Sequence, residues 1–397
     1  MFAALKKQTT HISGLSEAAD PMSTRSVLAQ LGVAIRKKGE IWEVKGVGRK
    51  GFTVFNGVLD VGNSGTTIRL MSGILAAQPF VSELTGDASI RKRPMNRIIK
   101  PLTQMGASIE SVNDGRAPIK IHGSPKIFGI DYLMEISSAQ VKSCILLAGL
   151  YTKEKTIVRE KVKTRDHTER MLNLTTYEKD GLFVTESSAD HDFDLPDITV
   201  PGDPSSAAFW AVAGSILPDT YVRIENVLLN PTRIGFVEAL KQMGADITIT
   251  QTGECQKEPV GTLEVRSAQL KGIHLSGDII PSLVDEIPIL CIAAAYAEGE
   301  TEIRGAEELR VKECDRIAAM VQGIKAMGGE AVDFPDGLKI TGTGKLKGAS
   351  IETFHDHRIA MSFAIAALRA EGETLIQNSE CVKISYPAFW EILAGTP

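Results

Sequence analysis

Two hydrophobic patterns alternate along the chain. The first is a run of small and apolar residues, a tight turn and a short strand. It occurs over Gly62 to Leu84, Ser138 to Val158, Pro204 to Asn226, Asp285 to Gly305 and Asp356 to Asn378. The opening residues, MFAALKKQTTHISGL, match only the second half of this pattern. A recurrence of roughly 70 residues marks a repeat-built architecture. The apolar runs carry almost no charge over two to three turns, and a helix apolar all round should be buried. The second pattern is an amphipathic helix ending at a glycine, followed by β-branched residues. It reads VLAQLGVAI (Val27 to Ile35), PLTQMGASI (Pro101 to Ile109), ALKQMGADITI (Ala239 to Ile249) and GIKAMGGEAVDF (Gly323 to Phe334). A glycine at that place fits a helix C-cap with positive φ. A further copy, Glu169 to Val184, has lost the glycine turn.

Helix and strand therefore alternate throughout, which predicts an α/β protein. Turns such as Asn113-Asp114-Gly115 and Pro335-Asp336-Gly337 sit between short strand-like runs and read as hairpins. Mixed sheets are thus expected, not a purely parallel one. Five full units and a partial sixth suggest two pseudo-symmetric domains of about three units each. The expected boundaries are 1–201, with its first helix truncated, and 202–397, lacking its N-terminal strand.

Composition changes this picture little. Of 397 residues, 43% are hydrophobic and 23% charged, as in an ordinary soluble domain. The net charge of -5 argues against a general nucleic-acid or membrane-surface binder. Five scattered cysteines without a CxxC pair read as reduced thiols, with Cys144 and Cys291 in the core and no zinc spacing. No apolar run approaches the roughly 18 residues of a membrane span, and the N-terminus lacks a signal-peptide pattern. A cytoplasmic protein is expected. The GVGRKG run, Gly46 to Gly51, matches GxGxxG but precedes a strand-like FTVFNG run, whereas a dinucleotide site needs a helix there.

Chemistry gathers where the apolar helices begin. Their openings are Asn63 to Thr67, Ser137 to Gln140, Asp203 to Ser206, Asp285-Glu286 and Asp356 to Arg358. Ser, Thr and Asp there serve as helix caps. Several helix N-termini on one side would also attract anions. Cations cluster nearby: Arg69, the Arg91 to Arg97 run, Arg165, Arg310, Lys312, Arg316 and Arg358. Guanidinium groups suit phosphates and carboxylates through forked hydrogen bonds. Asp285 and Glu313, set among these cations, are candidates for proton transfer.

In order along the chain, DVGNSGTTIRL, GDASIRKRPM, SSAQVKS, TRDHTERML, VPGDPSSAAF, DEIPIL, ELRVKECDRI and DHRIAM resemble the 5-enolpyruvylshikimate-3-phosphate synthase family. The likeness is to its Ser-Ala-Gln variants. It implies two domains built from βαβαββ units, with the active site in the cleft between them. It also implies transfer of the enolpyruvyl group of phosphoenolpyruvate to the 5-hydroxyl of shikimate 3-phosphate, releasing phosphate on the route to chorismate and the aromatic amino acids. No cofactor or metal is implied, and a monomer is the family default. Carried over residue by residue, Ser138, Ala139, Gln140, Arg165, Asp285 and Lys312 match the shikimate 3-phosphate site. Gly65, Arg93, Gln140, Arg316 and Arg358 match the phosphoenolpyruvate site, with Asn63 shaping its wall. Asp285 matches the carboxylate at the target hydroxyl, and Glu313 the acid that protonates the methylene carbon.

The resemblance departs at the N-terminus. A Pro-Gly-x-Lys-Ser-x-Ser-x-Arg-like segment opens the first buried helix of the family and has no counterpart here. The expectation is an incomplete first repeat and a site short of two cations. Two other readings stay open: a truncated, inactive binding protein of the same family, and an enolpyruvyl transferase acting on UDP-N-acetylglucosamine. The second normally carries a loop cysteine, absent from Thr85 to Arg97.

Overall fold

The computed structural model describes residues 1–395 and divides the chain into two compact units. Unit 1 comprises Met1–Val200 with Cys255–Lys257; unit 2 comprises the rest. Each has its own hydrophobic core.

Among the described residues, unit 1 holds three four-stranded sheets. In one, the strands run in the order Val58–Asp60, Val81–Thr85, Arg116–His122, Ser108–Val112. The first two are parallel and the remaining pairings antiparallel. Between the parallel strands lies helix Gly65–Ala76, and between the second strand and the hairpin lies helix Asn96–Gln104. The same succession of strand, helix, strand, helix and hairpin recurs over 131–187 in unit 1 and 274–342 in unit 2. The mixed sheets expected from the turns are therefore present. The two predicted hairpins are present as well: Val112 pairs with Arg116, and Phe334 with Gly337.

Burial follows the apolar patterns. All ten residues of helix Ile287–Tyr296 are buried, and so is helix Pro204–Ile216 except for Ser206. Helices Gly65–Ala76 and Ala139–Gly149 are almost as deeply buried, yet they carry Arg69 and Lys142 inside. Cys144 and Cys291 lie in the core as expected, and burial pushes the Cys144 thiol up to about 12. The glycines closing the amphipathic helices, Gly32, Gly106, Gly244 and Gly328, all have φ between 79° and 94°. In the copy lacking the glycine, Asn173 takes the left-handed C-cap of helix His167–Leu172, with φ 51°. Asparagine tolerates that conformation better than most residues, so the turn survives.

Two expectations need correction. The FTVFNG run after Gly51 forms no strand; the strand begins only at Val58. A helical stretch of 20 residues, Gly277–Tyr296, is long and apolar enough by composition to cross a membrane. Asp278, Asp285 and Glu286 break the apolar run in the sequence without ending the helical path. The stretch is 72% buried within unit 2, as a core helix is.

Candidate functional site

In unit 1 the site residues collect at the openings of two buried helices. Ser64 caps helix Gly65–Ala76 by accepting the Thr67 N–H at 3.2 Å. Gly65 is the first residue of that helix, and two guanidinium groups crowd it. A Cβ there would lie 2.8 Å from Arg93 Nη1 and 3.1 Å from Arg69 Nη1. The glycine therefore keeps a space that two cations line, at the positive end of a helix dipole. Arg93 Nη2 donates to Asn63 Oδ1 at 3.4 Å, and Asn63 Nδ2 donates to Asp87 Oδ2 at 2.6 Å. The second helix, Ala139–Gly149, opens on Ser138, whose hydroxyl makes no capping bond. Gln140 joins the two openings: its Oε1 accepts from Arg69 Nη1, and its Nε2 donates to Thr66 Oγ1 at 2.9 Å. Arg165 is half-buried in the connection between strand Thr156–Glu160 and helix His167–Leu172.

In unit 2 the centre is Arg316, with its side chain only 2% exposed. It is the first residue of helix Arg316–Ala326, which Asp315 caps through the Ala318 N–H. Its Nε donates to Asp356 Oδ2 at 2.8 Å, its Nη2 to Glu313 Oε2 at 2.6 Å and its Nη1 to Asp285 Oδ1 at 3.3 Å. Burial opposes its charge, but Asp356, Glu313 and Asp285 outweigh burial and raise its pKa above the ordinary arginine value. Lys312 Nζ lies 3.4 Å from the same Asp285 oxygen. Arg358 Nη1 donates to the Asp285 carbonyl at 2.8 Å and to Glu286 Oε1 at 3.4 Å. Thus Asp285, Lys312, Glu313, Arg316 and Arg358 converge, three of them from helix openings and Lys312 and Glu313 from the turn that leads into helix Arg316–Ala326.

Each unit gathers its own members of the sequence-derived set. Gly65, Arg93 and Gln140 fall around one pair of helix openings, while Ser138, Ala139 and Arg165 lie on and beside the second of them. Several groups escaped the sequence reading. Asp356 was legible as a cap, and it does accept the Arg358 N–H at 2.8 Å, but it also anchors Arg316. Glu286, fully buried, receives the Ser205 hydroxyl and Arg358. Arg69 was visible as a cation one turn after Gly65, but only the fold shows it bonded to Gln140. Lys142, Glu160 and Glu169 form a buried ionic cluster that only the fold brings together. Among the described residues, no group of three or more His, Cys, Asp or Glu is placed to hold a metal ion.

Small mixed sheets under buried helices that open on cations define an α/β fold of the enolpyruvyl-transferase class. An EPSP synthase structure from Acinetobacter baumannii superposes with a TM-score of 0.85 at 44% identity, covering 99% of this chain and 91% of that one. The enolpyruvyl transferase NikO from Streptomyces tendae shares the fold at a TM-score of 0.75 and 16% identity, over 99% and 90% of the two chains. The family described as EPSP synthase (3-phosphoshikimate 1-carboxyvinyltransferase) matches residues 1–393. A 3-phosphoshikimate 1-carboxyvinyltransferase of Coxiella burnetii (strain RSA 493) is 47% identical over 99% of this chain and 90% of its own length. One from Herpetosiphon aurantiacus is 47% identical over 98% and 92%. The chain belongs to the EPSP synthase family.

Proposed function

We propose that the chain catalyses the reaction of its family: transfer of the enolpyruvyl group of phosphoenolpyruvate to the 5-hydroxyl of shikimate 3-phosphate, with release of phosphate. It thereby serves the shikimate pathway and aromatic amino acid biosynthesis. Ser138, Ala139, Gln140, Arg165 and Lys312 hold shikimate 3-phosphate. Gly65, Arg93, Gln140, Arg316 and Arg358 hold phosphoenolpyruvate. No cofactor or metal takes part, and the chain acts as a cytoplasmic monomer.

The observation that carries this reading is the pairing of Asp285 and Glu313 on one buried guanidinium, that of Arg316. These carboxylates balance the charge of Arg316. An incoming phosphoryl or carboxylate group competes for that guanidinium. A carboxylate that loses its cation while beside a bound anion becomes more basic. Glu313 then takes up a proton and delivers it to C3 of phosphoenolpyruvate, which builds positive charge at C2. Asp285 accepts the proton of the 5-hydroxyl as its oxygen bonds to C2, giving a tetrahedral intermediate. Glu313, again a carboxylate, then takes a proton back from C3 as the C2–O bond to the phosphate breaks, which restores the double bond. The proton held by Asp285 passes to the departing phosphate. Arg316 and Arg358 stabilise the charge that gathers on the leaving phosphate.

Phosphate release from the two substrates tests the assignment. Glu313→Gln and Asp285→Asn should each lower kcat by about 100-fold or more, the usual range for a general acid or base. Full turnover in either variant would remove that residue from its role. Tight binding of shikimate 3-phosphate by the unaltered chain, with no phosphate released, would favour a binding protein instead.

A further inference from the structure

Three ionisable side chains are buried inside unit 1 beyond the Ser138–Gln140 helix opening. Lys142 lies on helix Ala139–Gly149, Glu160 ends strand Thr156–Glu160, and Glu169 lies on helix His167–Leu172. Their side chains are 1%, 4% and 5% exposed, and Lys142 Nζ lies 2.7 Å from both Glu160 Oε2 and Glu169 Oε1. Burying three charged groups costs desolvation energy, and an apolar set of similar volume is often at least as stable. Stability alone therefore explains the cluster poorly.

What the cluster holds is the chain that carries Arg165. Glu160 Oε1 accepts the Thr164 N–H at 3.3 Å and the Thr164 hydroxyl as well. Lys142 Nζ donates to the Thr164 carbonyl at 3.4 Å. The residue before Arg165 is thus tied by its N–H, its C=O and its hydroxyl to two buried side chains. Beyond Arg165, Glu169 is held by Lys142, and Ser143 Oγ pairs with Thr168 Oγ1 at 2.7 Å. Lys142 and Ser143 both stand on the helix that opens at Ser138.

We infer that Lys142, Glu160 and Glu169 form a positioning cluster that fixes the Arg165 segment against the Ser138–Gln140 helix opening and so sets affinity for shikimate 3-phosphate. The inference rests on the reading that Arg165 and this opening bind that substrate. None of the three is a catalytic residue; they act through Arg165. An arginine on a loose connection must be ordered when the ligand binds, which weakens affinity. One held on both sides binds in a geometry already made.

Calorimetric titration of the full chain with shikimate 3-phosphate tests this, because the fitted stoichiometry reports the folded fraction separately from Kd. Glu160→Ala releases all contacts of Glu160 with Thr164 and leaves Lys142 paired with Glu169. Its Kd for shikimate 3-phosphate should rise about tenfold, the order expected for losing one ordered arginine contact. The KM for phosphoenolpyruvate should stay within about twofold of the parent, on the same scale of tenfold per 1.4 kcal/mol. Glu160→Gln, which keeps an acceptor, should recover most of the affinity. Thr164→Val, a milder change should Glu160→Ala not fold, should weaken binding about threefold. In the Arg165→Ala background the Glu160→Ala change should add nothing, since the cluster acts through that arginine. An unchanged Kd in both Glu160→Ala and Thr164→Val, with only a lower melting temperature, would overturn the positioning role while leaving Arg165 in place. An unchanged Kd in Arg165→Ala would instead sink the substrate-binding reading on which it depends.

Discussion

At Gly65 the spacing is decided by the width of one methyl group. The two atoms a Cβ would meet, Arg93 Nη1 and Arg69 Nη1, are the far ends of flexible side chains. Gly65→Ala should therefore fold normally but push both guanidiniums off the helix opening. An extra methyl group in a fitted site is worth about 1–3 kcal/mol. The KM for phosphoenolpyruvate should rise tenfold or more, while the melting temperature stays near that of the parent; steady-state kinetics at saturating shikimate 3-phosphate reads this directly. His357 offers a different residue-scale prediction. Burial lowers its pKa from 6.5 to about 4. The unfolded chain then binds a proton that the folded chain refuses, so stability is full above about 6.5 and falls as the pH drops toward 4. A shift of that size is worth about 3 kcal/mol once both values are passed. Unfolding midpoints measured from pH 7.5 to pH 4 should fall more steeply for the parent than for His357→Gln. Parallel curves would show that His357 titrates normally. At this scale the sequence displayed charges but not their partners. Arg316, Asp285, Glu313 and Asp356 are spread over some seventy positions, and only the fold shows them sharing one guanidinium.

Helix against helix, the determining contacts are backbone ones. Helices Gly65–Ala76 and Ala139–Gly149 approach so closely at Gly73 that a Cβ there would stand 2.2 Å from the Cys144 carbonyl oxygen. Backbone cannot swing aside as a side-chain end can. Gly73→Ala should force the two helices apart and destabilise unit 1 by about 3 kcal/mol, the upper part of the usual range for overpacking. For a unit of this size that is a drop of about 10 °C in melting temperature, measurable by circular dichroism. The displacement should also reach the site, because Gln140 bridges the same two helices to Arg69 and Thr66. Both apolar helices were legible from their composition, and so were the glycine C-caps, since each follows from a local preference. The Asn173 cap was not, because asparagine adopts left-handed backbone only where the surroundings favour it. Lys142 was also hidden: a lysine within an apolar run reads as a surface residue until its two glutamates, 18 and 27 positions on, are brought to it.

For the whole molecule, the repeated pattern made the α/β architecture and its mixed sheets readable, because each repeat carries the same buried helix and the same turns. How the residues divide between units was harder to read, since residues 255–257 belong with unit 1 although the chain on both sides of them belongs to unit 2. Two separate hydrophobic cores have a thermodynamic consequence. Each can in principle unfold on its own, and a protein with two cores need not unfold in one step. Calorimetry of the unliganded chain should therefore resolve two transitions, or one broadened transition whose van't Hoff enthalpy falls below the calorimetric one. Arg165 is proposed to hold shikimate 3-phosphate and belongs to unit 1. A ligand at 100 times its Kd adds about 2.7 kcal/mol to the state that binds it. Saturating shikimate 3-phosphate should thus raise the transition of unit 1, and raise it further as the ligand concentration grows. Arg165→Ala should weaken that shift. A unit 1 transition that shikimate 3-phosphate leaves unmoved would remove Arg165 from the binding site.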